Sequence, residues 1–271
     1  MNSLLQRVLK VLKKNPQLQD GQQRLVRDTP VDENDCTMVF SQESGMVVEE
    51  TLRAFAAGYE FLSVDLEGID LGREGGETTY VSIATSQHVY VFWVHENNPE
   101  YVAIRACISR LLALPNVLFF FWSCECDIEC LQDELEILLL HESIVDVQIL
   151  SILHMMNQRM GKVRYRPGLA KILGLFKKEF GSSDDGNLDY NVARDEHPWM
   201  LQPWKISNVA KIHAARDTIT LPFLFLRYAR VVERFEKEFL DCCFNVALNT
   251  NSKESSAKIG EEVYKLHAQL I

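Results

Sequence analysis

The alternation of apolar and polar side chains along the chain predicts the strands of a sheet. Between Phe61 and Glu67, every second residue is apolar, which is the two-residue period of a strand with one buried face. The run NVLFFFW at 116–122 is apolar throughout and is typical of a strand that is buried on both faces. Shorter apolar runs predict further strands at 37–41, 78–84, 88–94 and 144–149, the second and third of these forming a hairpin.

Apolar residues at helical spacing separate these strands. They predict helices at 47–57, 99–114, 127–138, 150–160 and 168–175. A long helical region is predicted from the N-cap Ser207 towards Leu240, with a kink at Pro222. Because a hairpin is followed by alternating strands and helices, we expect an α/β domain: a mixed sheet with helices on both faces.

The first residues form a separate pattern. Residues 1–19 contain four basic side chains and no acid, and leucines and valines share one face of a predicted helix that ends at Asn15 and Pro16. This amphipathic helix could be a mitochondrial transit peptide, a surface-docking helix, a partner helix or simply a short helix. We therefore predict an N-terminal helix and polar linker at 1–36, a main domain at 37–240 and a C-terminal helical tail at 241–271.

Composition narrows the class of protein. The 271 residues are 47% hydrophobic and 24% charged, as in an ordinary globular chain, and no apolar run approaches the ~20 residues of a membrane span. The net charge of -10 argues against a broadly basic surface for nucleic acid. The odd number of cysteines, 7, predicts reduced thiols and a cytoplasmic or nuclear location. Cys124, Cys126 and Cys130 are interpreted as buried thiols, with structural zinc as the alternative.

Two pairs of side chains are candidates for chemistry. Asp65 and Glu67 lie two residues apart on a strand, so both carboxylates project from one face and could share a hard cation. Asp217 lies in an apolar helix, where an isolated carboxylate is costly unless it is paired or bound to metal, and His213 precedes it by one turn. Asp127, at the start of a helix, is either a metal ligand or an acid that complements the helix dipole.

Aromatic and basic residues suggest where a strand of nucleic acid could bind. The loop GKVRYRPG could grip phosphates and stack a base, or it could simply be solvated. Its candidate residues for binding nucleic acid are Lys162, Arg164, Tyr165 and Arg166. The tryptophans at 122, 199 and 204 are assigned to the core, with Trp199 or Trp204 as a further stacking candidate.

These motifs together resemble a known family. The segment VDLEGIDLGREGGETTYVSIAT, Asp127 and Leu131 in D-x3-L, IVDVQIL around Asp146, and IHAARDTITL resemble the motifs of DEDD (DnaQ-like) 3′-to-5′ exonucleases of the ribonuclease H-like fold. The similarity is greatest to the Egalitarian-like and ribonuclease D-related exonuclease-domain proteins. It covers roughly residues 37–240, and the first and last segments are the most specific.

The resemblance implies a function. Asp65, Glu67, Asp127 and Asp217 would bind two Mg²⁺ or Mn²⁺ ions and hydrolyse the terminal phosphodiester of single-stranded RNA or DNA, with RNA favoured. His213 stands where the ribonuclease D relatives have tyrosine, which makes its role in orienting water the point of departure from the family. The alternative is a weakly active or inactive domain in RNA metabolism that binds RNA or, through its terminal helices, protein partners.

Overall fold

A mixed sheet of six strands organises the chain. The computed structural model describes residues 4–14, 32–140, 143–157, 168–175, 196–228, 236–249, 261 and 263–268. The strands are β1 (Cys36–Val39), β2 (Phe61–Ile69), β3 (Glu77–Ala84), β4 (Val89–Trp93), β5 (Leu118–Phe121) and β6 (Ile144–Asp146). In the sheet they lie in the order β1-β4-β3-β2-β5-β6. Strands β2, β3 and β4 pair antiparallel, whereas β1 pairs parallel with β4 and β5 pairs parallel with both β2 and β6.

Helices follow most of the strands. They are α1 (Leu4–Lys14), α2 (Gln42–Tyr59), α3 (Tyr101–Leu112), α4 (Glu125–Asp133), α5 (Val147–Asn157), α6 (Leu169–Leu175), α7 (Asn208–Ile219), α8 (Leu221–Tyr228) and α9 (Glu236–Asn249). Short 3-10 turns at Glu33–Asp35, Pro198–Met200 and Pro203–Lys205 complete the described elements. Ser207 caps α7 by accepting a hydrogen bond from the N–H of Ala210, as predicted for that position.

The sheet separates two apolar cores. On one face, α2, α3 and α4 pack on side chains such as Leu62, Val64 and Phe119. On the other face, α1, α5, α6, α7, α8 and α9 pack on side chains such as Phe61 and Phe120. Phe119 and Phe120 point to opposite faces, and both are fully buried, which confirms the two-sided burial predicted for β5. The predicted α/β architecture with helices on both faces is confirmed.

Three predicted element boundaries are wrong. The helix expected at 127–138 ends at Asp133, because Glu136 has a positive φ of 54° and the chain turns back there. The strand expected at 144–149 stops at Asp146, and helix α5 begins at Val147. The expected kink at Pro222 is instead a break at Thr220, so that Pro222 lies in the first turn of α8, where its missing N–H costs nothing.

Both ends of the described chain belong to the apolar core. Leu5, Val8 and Leu12 on α1 are at most 1% exposed and lie in the same cluster as the sheet. Helix α9 runs across residue 240, and its side chains Phe239 and Cys243 are fully buried. The division of the chain at residues 36 and 240 stays a prediction, yet the helices on either side of these positions share one core with the sheet.

None of the helices in the described part of the chain is long and apolar enough to cross a membrane.

All seven cysteines are free thiols. Cys124 and Cys130 are buried, as interpreted from the sequence, whereas Cys126 is only partly buried.

Candidate metal centre

Asp65 and Glu67 project from one face of β2, as their spacing predicts. Asp65 lies opposite Ser82 and Glu67 lies opposite Tyr80 on β3, and a bulge follows directly between Glu67 and Gly68. Their neighbours on β2, Val64 and Leu66, belong to the core on the other face. The two carboxylates therefore face helix α7, which packs across β2 and β3.

Asp127 enters the same site from helix α4. It is only 6% exposed, and its charge acts on that of Asp65 and of Glu67. The position of Asp127 in the first turn of α4 complements the helix dipole, but the dipole does not account for the burial of the carboxylate. Of the two roles weighed for Asp127, the metal ligand is the one that its burial beside other acids favours.

A second buried acid, Asp146, fixes the turn that leads into α4. Its carboxylate accepts hydrogen bonds from the backbone N–H groups of Ser123 and Cys124, each at 3.2 Å, and of Gln148 at 2.8 Å. Ser123 has a positive φ of 62°, so this turn is strained for a residue with a side chain. Burial raises the pKa of Asp146 to about 6, helped by the charge of Glu125, while the three N–H donors oppose the rise. Asp146 thus sets the start of the helix that carries Asp127.

Helix α7 supplies Asp217 and the groups that hold it. Nε2 of His213 lies 3.4 Å from Oδ2 of Asp217, and Nε of Arg216 lies 3.7 Å from its Oδ1. Arg216 also donates from Nη2 to Nδ1 of His213 at 3.3 Å, because a guanidinium can only donate. The ring proton of His213 therefore sits on Nε2, facing Asp217. Asp217 is less buried than its apolar helix predicts, since its side chain is 23% exposed.

The acids raise one another's pKa. Burial raises the pKa of Asp65 to about 8, and the charge of Asp217 adds to this, although a hydrogen bond to Glu67 opposes it. Burial and the charges of Asp65, Asp217 and Asp127 raise the pKa of Glu67 well above its ordinary value. Burial and the charge of Asp65 do the same for Asp127. Four carboxylates on three elements therefore share one electrostatic environment.

This donor set suits a hard divalent cation. Carboxylate oxygens are the preferred ligands of Mg²⁺ and Mn²⁺, and a cation between these acids would remove the repulsion that raises their pKa. Oε1 of Glu67 is buried and has no hydrogen-bond partner among the described residues, as expected of an atom that awaits a ligand. Over the described ranges, however, no three His, Cys, Asp or Glu side chains are already drawn together to metal-ligand geometry. The carboxylate oxygens are suitable ligands for the ion, and the side chains must move closer together to bind it.

The segment 196–205 ties the site to β3. The hydroxyl of Thr79 donates to the carbonyl oxygen of Trp199 at 2.5 Å and contacts the carbonyl oxygen of Glu67 at 3.2 Å. Trp199 is buried and packs against Tyr80 and His213, with ring centroids 5.9 and 6.5 Å apart. Its assignment to the core is confirmed, and its position beside His213 places it under the site.

The structure thus brings together Asp65, Glu67, Asp127, Asp217 and His213. The other predicted residues, Lys162, Arg164, Tyr165 and Arg166, lie outside the described residues. Sequence reasoning missed Arg216 and the turn-fixing role of Asp146. A basic residue directly beside a candidate ligand and an acid inside the apolar run IVDVQIL were the signals that could have identified them.

Solved structures with the same fold exist. The ribonuclease D of Trypanosoma brucei in complex with GMP matches 88% of this chain and 65% of its own, with a TM-score of 0.61 and 16% identity. The catalytic core of RRP6 from Trypanosoma brucei matches 78% of this chain and 51% of its own, with a TM-score of 0.54 and 20% identity. The Nibbler EXO domain of Aedes aegypti matches 79% of this chain and 98% of its own, with a TM-score of 0.54 and 17% identity.

These likenesses establish the fold. The chain has the fold of these ribonuclease D, RRP6 and Nibbler EXO structures, which is the ribonuclease H-like fold that the sequence resemblance implied. It spans about two thirds of the ribonuclease D chain and half of the RRP6 chain. No protein-family model and no curated protein sequence matches it. The particular similarity to Egalitarian-like proteins stays a prediction.

Proposed function

We propose that this protein is a metal-dependent 3′-to-5′ exonuclease that hydrolyses terminal phosphodiesters of single-stranded nucleic acid, with RNA favoured over DNA. The observation that carries the proposal is the convergence of four acids from β2, α4 and α7 on one site in an exonuclease-type fold. Burial and the charges of neighbouring acids raise the pKa of Asp65, Glu67 and Asp127, and a cation offsets both effects.

Asp65, Glu67 and Asp217 are the proposed ligands of the first Mg²⁺ or Mn²⁺ ion, and Asp127 supports the second. When bound, such ions supply an activated water and neutralise the charge that develops on the leaving 3′-oxygen. The residues contribute position: β2 fixes two carboxylates on one face, and Asp146 fixes the turn that presents Asp127.

His213 orients Asp217 in this proposal. Its Nδ1 accepts from Arg216 and its Nε2 faces Asp217, so both ring nitrogens are directed at neighbouring side chains. A general base must instead direct an acceptor at the proton that it removes. His213 therefore contributes to the position of a metal ligand, and the rate should be below that of an enzyme with a phenol at this position.

The substrate is proposed to be a single strand of RNA or DNA, and Lys162, Arg164, Tyr165 and Arg166 stay the candidate residues for binding it, as the sequence predicts. One of the solved structures with this fold is named a ribonuclease D and is bound to GMP. A cytoplasmic or nuclear location remains part of the proposal, with a mitochondrial one as the alternative from the basic N-terminus. Protein partners that bind at the terminal helices remain proposals as well.

A second function, a catalytically weak RNA-binding domain, is favoured by two observations. His213 replaces tyrosine, and the acids in the described part of the chain are not yet at metal-ligand distances. Both functions share the site and the substrate, so they differ in rate alone.

One assay separates the two functions. We expect 5′-labelled single-stranded RNA to shorten from its 3′ end with Mn²⁺, and the shortening to stop in Asp65→Asn but not in Asp70→Asn. Asp70 is the matched control, because it follows β2 directly and its side chain is 58% exposed. A circular RNA of the same sequence should stay intact. Binding of RNA without any shortening would reject the enzyme and leave the binding domain.

A further inference from the structure

An exposed tryptophan stands beside the candidate metal centre. The side chain of Trp204 is 64% exposed, although the sequence assigned it to the core. Phe40 and Trp93 contact it edge to face, with ring centroids 6.2 and 6.0 Å away and interplanar angles of 77° and 80°. Two edge contacts hold an indole in place and leave ring surface open to solvent. A large exposed aromatic group held in this way is typical of a binding site.

Strand register places this tryptophan on the same face of the sheet as the acids. Glu67 pairs with Tyr80, and Tyr80 pairs with Trp93, so these three residues form one row across β2, β3 and β4. Directly paired residues of antiparallel strands project to the same face. Trp93, on which Trp204 rests, is two strand spacings from Glu67, which is about 10 Å. The ring centroid of Trp204 is a further 6.0 Å from that of Trp93, and the combined span suits a base two or more nucleotides upstream of the one that reacts.

The backbone that carries Trp204 is fixed to the site. Tyr80 donates its hydroxyl proton to the carbonyl oxygen of Leu201. The following 3-10 turn, Pro203–Lys205, is closed by a hydrogen bond of 2.8 Å from the N–H of Lys205 to the carbonyl oxygen of Gln202. Pro203 is buried and has a fixed φ, which limits the motion of the turn. The segment therefore runs from Trp199, beside His213, outward to Trp204.

The charge next to Trp204 suits a phosphate backbone. Lys205 follows it directly and is exposed. An aromatic ring with a neighbouring cation is the arrangement that binds single-stranded nucleic acid with little preference for sequence. An exposed tryptophan could also bind a protein. The row of paired residues that leads from Trp93 to Glu67, and the adjacent Lys205, favour a nucleotide instead.

We propose that Trp204 is a base-stacking platform for a single-stranded nucleic acid whose 3′ end lies at Asp65 and Glu67. The platform binds a base upstream of the terminal nucleotide, and Lys205 neutralises a phosphate there. This inference rests on the proposed exonuclease function and adds a subsite to it. A dinucleotide is too short to reach Trp204, so only longer strands gain affinity from it.

The test compares strands of two lengths. We use the full chain with Asp65→Asn, so that no cleavage occurs, and measure the Kd of a dinucleotide and of an oligoadenylate of about a dozen nucleotides. Trp204→Ala should raise the Kd of the long strand about tenfold and leave the dinucleotide unchanged. Trp204→Phe, which keeps a ring, should stay within about threefold of the parent. Val102→Ala is the matched control, because Val102 is 70% exposed on α3 and should have no effect.

Tryptophan fluorescence supplies a second readout. The long strand should quench fluorescence in the parent, and less so in Trp204→Phe if that indole is the one covered. Equal Kd values of the parent and Trp204→Ala for the long strand would overturn the platform, whether or not Trp204 binds a protein. The proposed function itself fails separately, when the wild-type chain neither binds nor shortens either strand.

Discussion

At the scale of single residues, the arrangement around Asp217 decides how fast the site can act. His213 accepts from Arg216 and faces Asp217, and Arg216 places a positive charge 3.7 Å from the same carboxylate. Both contacts orient Asp217, but Arg216 also competes with a metal ion for it. His213, which stands where the family that the sequence resembles has tyrosine, is thus linked to a cation on its own helix.

Replacing His213 tests this arrangement. We expect His213→Tyr to raise kcat for RNA about tenfold or more, because a phenol can contact the attacking water without pairing with Arg216. The measurement is single-turnover release of the 3′ nucleotide with Mn²⁺. His213→Phe has the same ring without the hydroxyl, and it should show no rise. A fall in kcat with tyrosine would mean that the histidine itself acts on the water.

At the scale of elements, the turn between β5 and α4 positions Asp127. Asp146 is 1% exposed, and its carboxylate accepts hydrogen bonds from three backbone N–H groups. Two of them lie in this turn, and the third lies in α5. Its own N–H donates to Sγ of Cys243 at 3.4 Å, so α9 supports the same turn. The carboxylate is therefore an internal support for helix α4.

Asp146→Asn should weaken this support. An amide presents one oxygen where the carboxylate presents two, so a buried N–H loses its acceptor at a cost of about 1–3 kcal/mol of unfolding free energy. We also expect weaker Mn²⁺ binding, measured by titration calorimetry, since Asp127 moves with the turn. Asp133→Asn, at the exposed end of α4, is the control for stability and for metal binding. Unchanged Mn²⁺ affinity in Asp146→Asn would disprove the link to Asp127.

The N-terminal helix is a second element whose role can be measured. Leu12 on α1 is 1% exposed, whereas Lys10 on the other face is exposed. Leu12→Ala should lower the free energy of unfolding by about 2–5 kcal/mol, and Lys10→Ala should change it by less than about 0.5 kcal/mol. Chemical denaturation of both variants checks this. Equal stability would indicate that α1 is an appendage, as a docking helix or transit peptide would be.

Periodic patterns predicted the elements well, because burial on a sheet or helix face is a local property of the sequence. Strand β5 and its two-sided burial follow directly from NVLFFFW. The end of α4 could not be predicted, because Leu135 and Leu138 continue the helical spacing of apolar residues while the chain turns at Glu136. The exposure of Trp204 could not be predicted either, because it depends on contacts with Phe40, which follows β1, and with Trp93 on β4. Both residues are distant from Trp204 in the sequence.

The site was predictable for a different reason. Acids in apolar surroundings are costly, so Asp65, Glu67 and Asp217 stood out by their spacing, their apolar neighbours in the sequence and the family resemblance. Arg216 did not, because a basic residue on a helix is ordinarily a solvated one. Its contact with His213 exists only in the folded helix α7 and decides which ring nitrogen carries the proton.

At the scale of the whole molecule, the buried acids make the free energy of unfolding depend on pH. The pKa of Asp65 is raised to about 8 in the folded chain, whereas an unfolded aspartate titrates near 3.8. Between these values the folded chain binds more protons than the unfolded one, so the free energy of unfolding falls as pH rises. Without metal, the protein should therefore be more stable at about pH 5 than at about pH 8.

Thermal melting in EDTA checks this sign. We expect Tm to fall from about pH 5 to about pH 8 by several degrees, at about 2–4 °C for each kcal/mol lost. Asp65→Asn removes one of the repelling charges and should flatten the fall, and Mg²⁺ should raise Tm at the higher pH by binding the folded state alone. Asp70→Asn should melt like the wild type. A Tm that rises with pH in EDTA would contradict the mutual repulsion of the four acids.

The central claim is that the four acids form a metal-dependent exonuclease site on an acidic molecule of net charge -10. Its most direct measurement is the rate at which the 3′-terminal nucleotide leaves single-stranded RNA as Mn²⁺ is titrated into the wild type and Asp65→Asn. The account predicts release that rises to saturation with Mn²⁺ in the wild type and is lost in the variant. Release that is independent of Mn²⁺, or equal in both proteins, would contradict it.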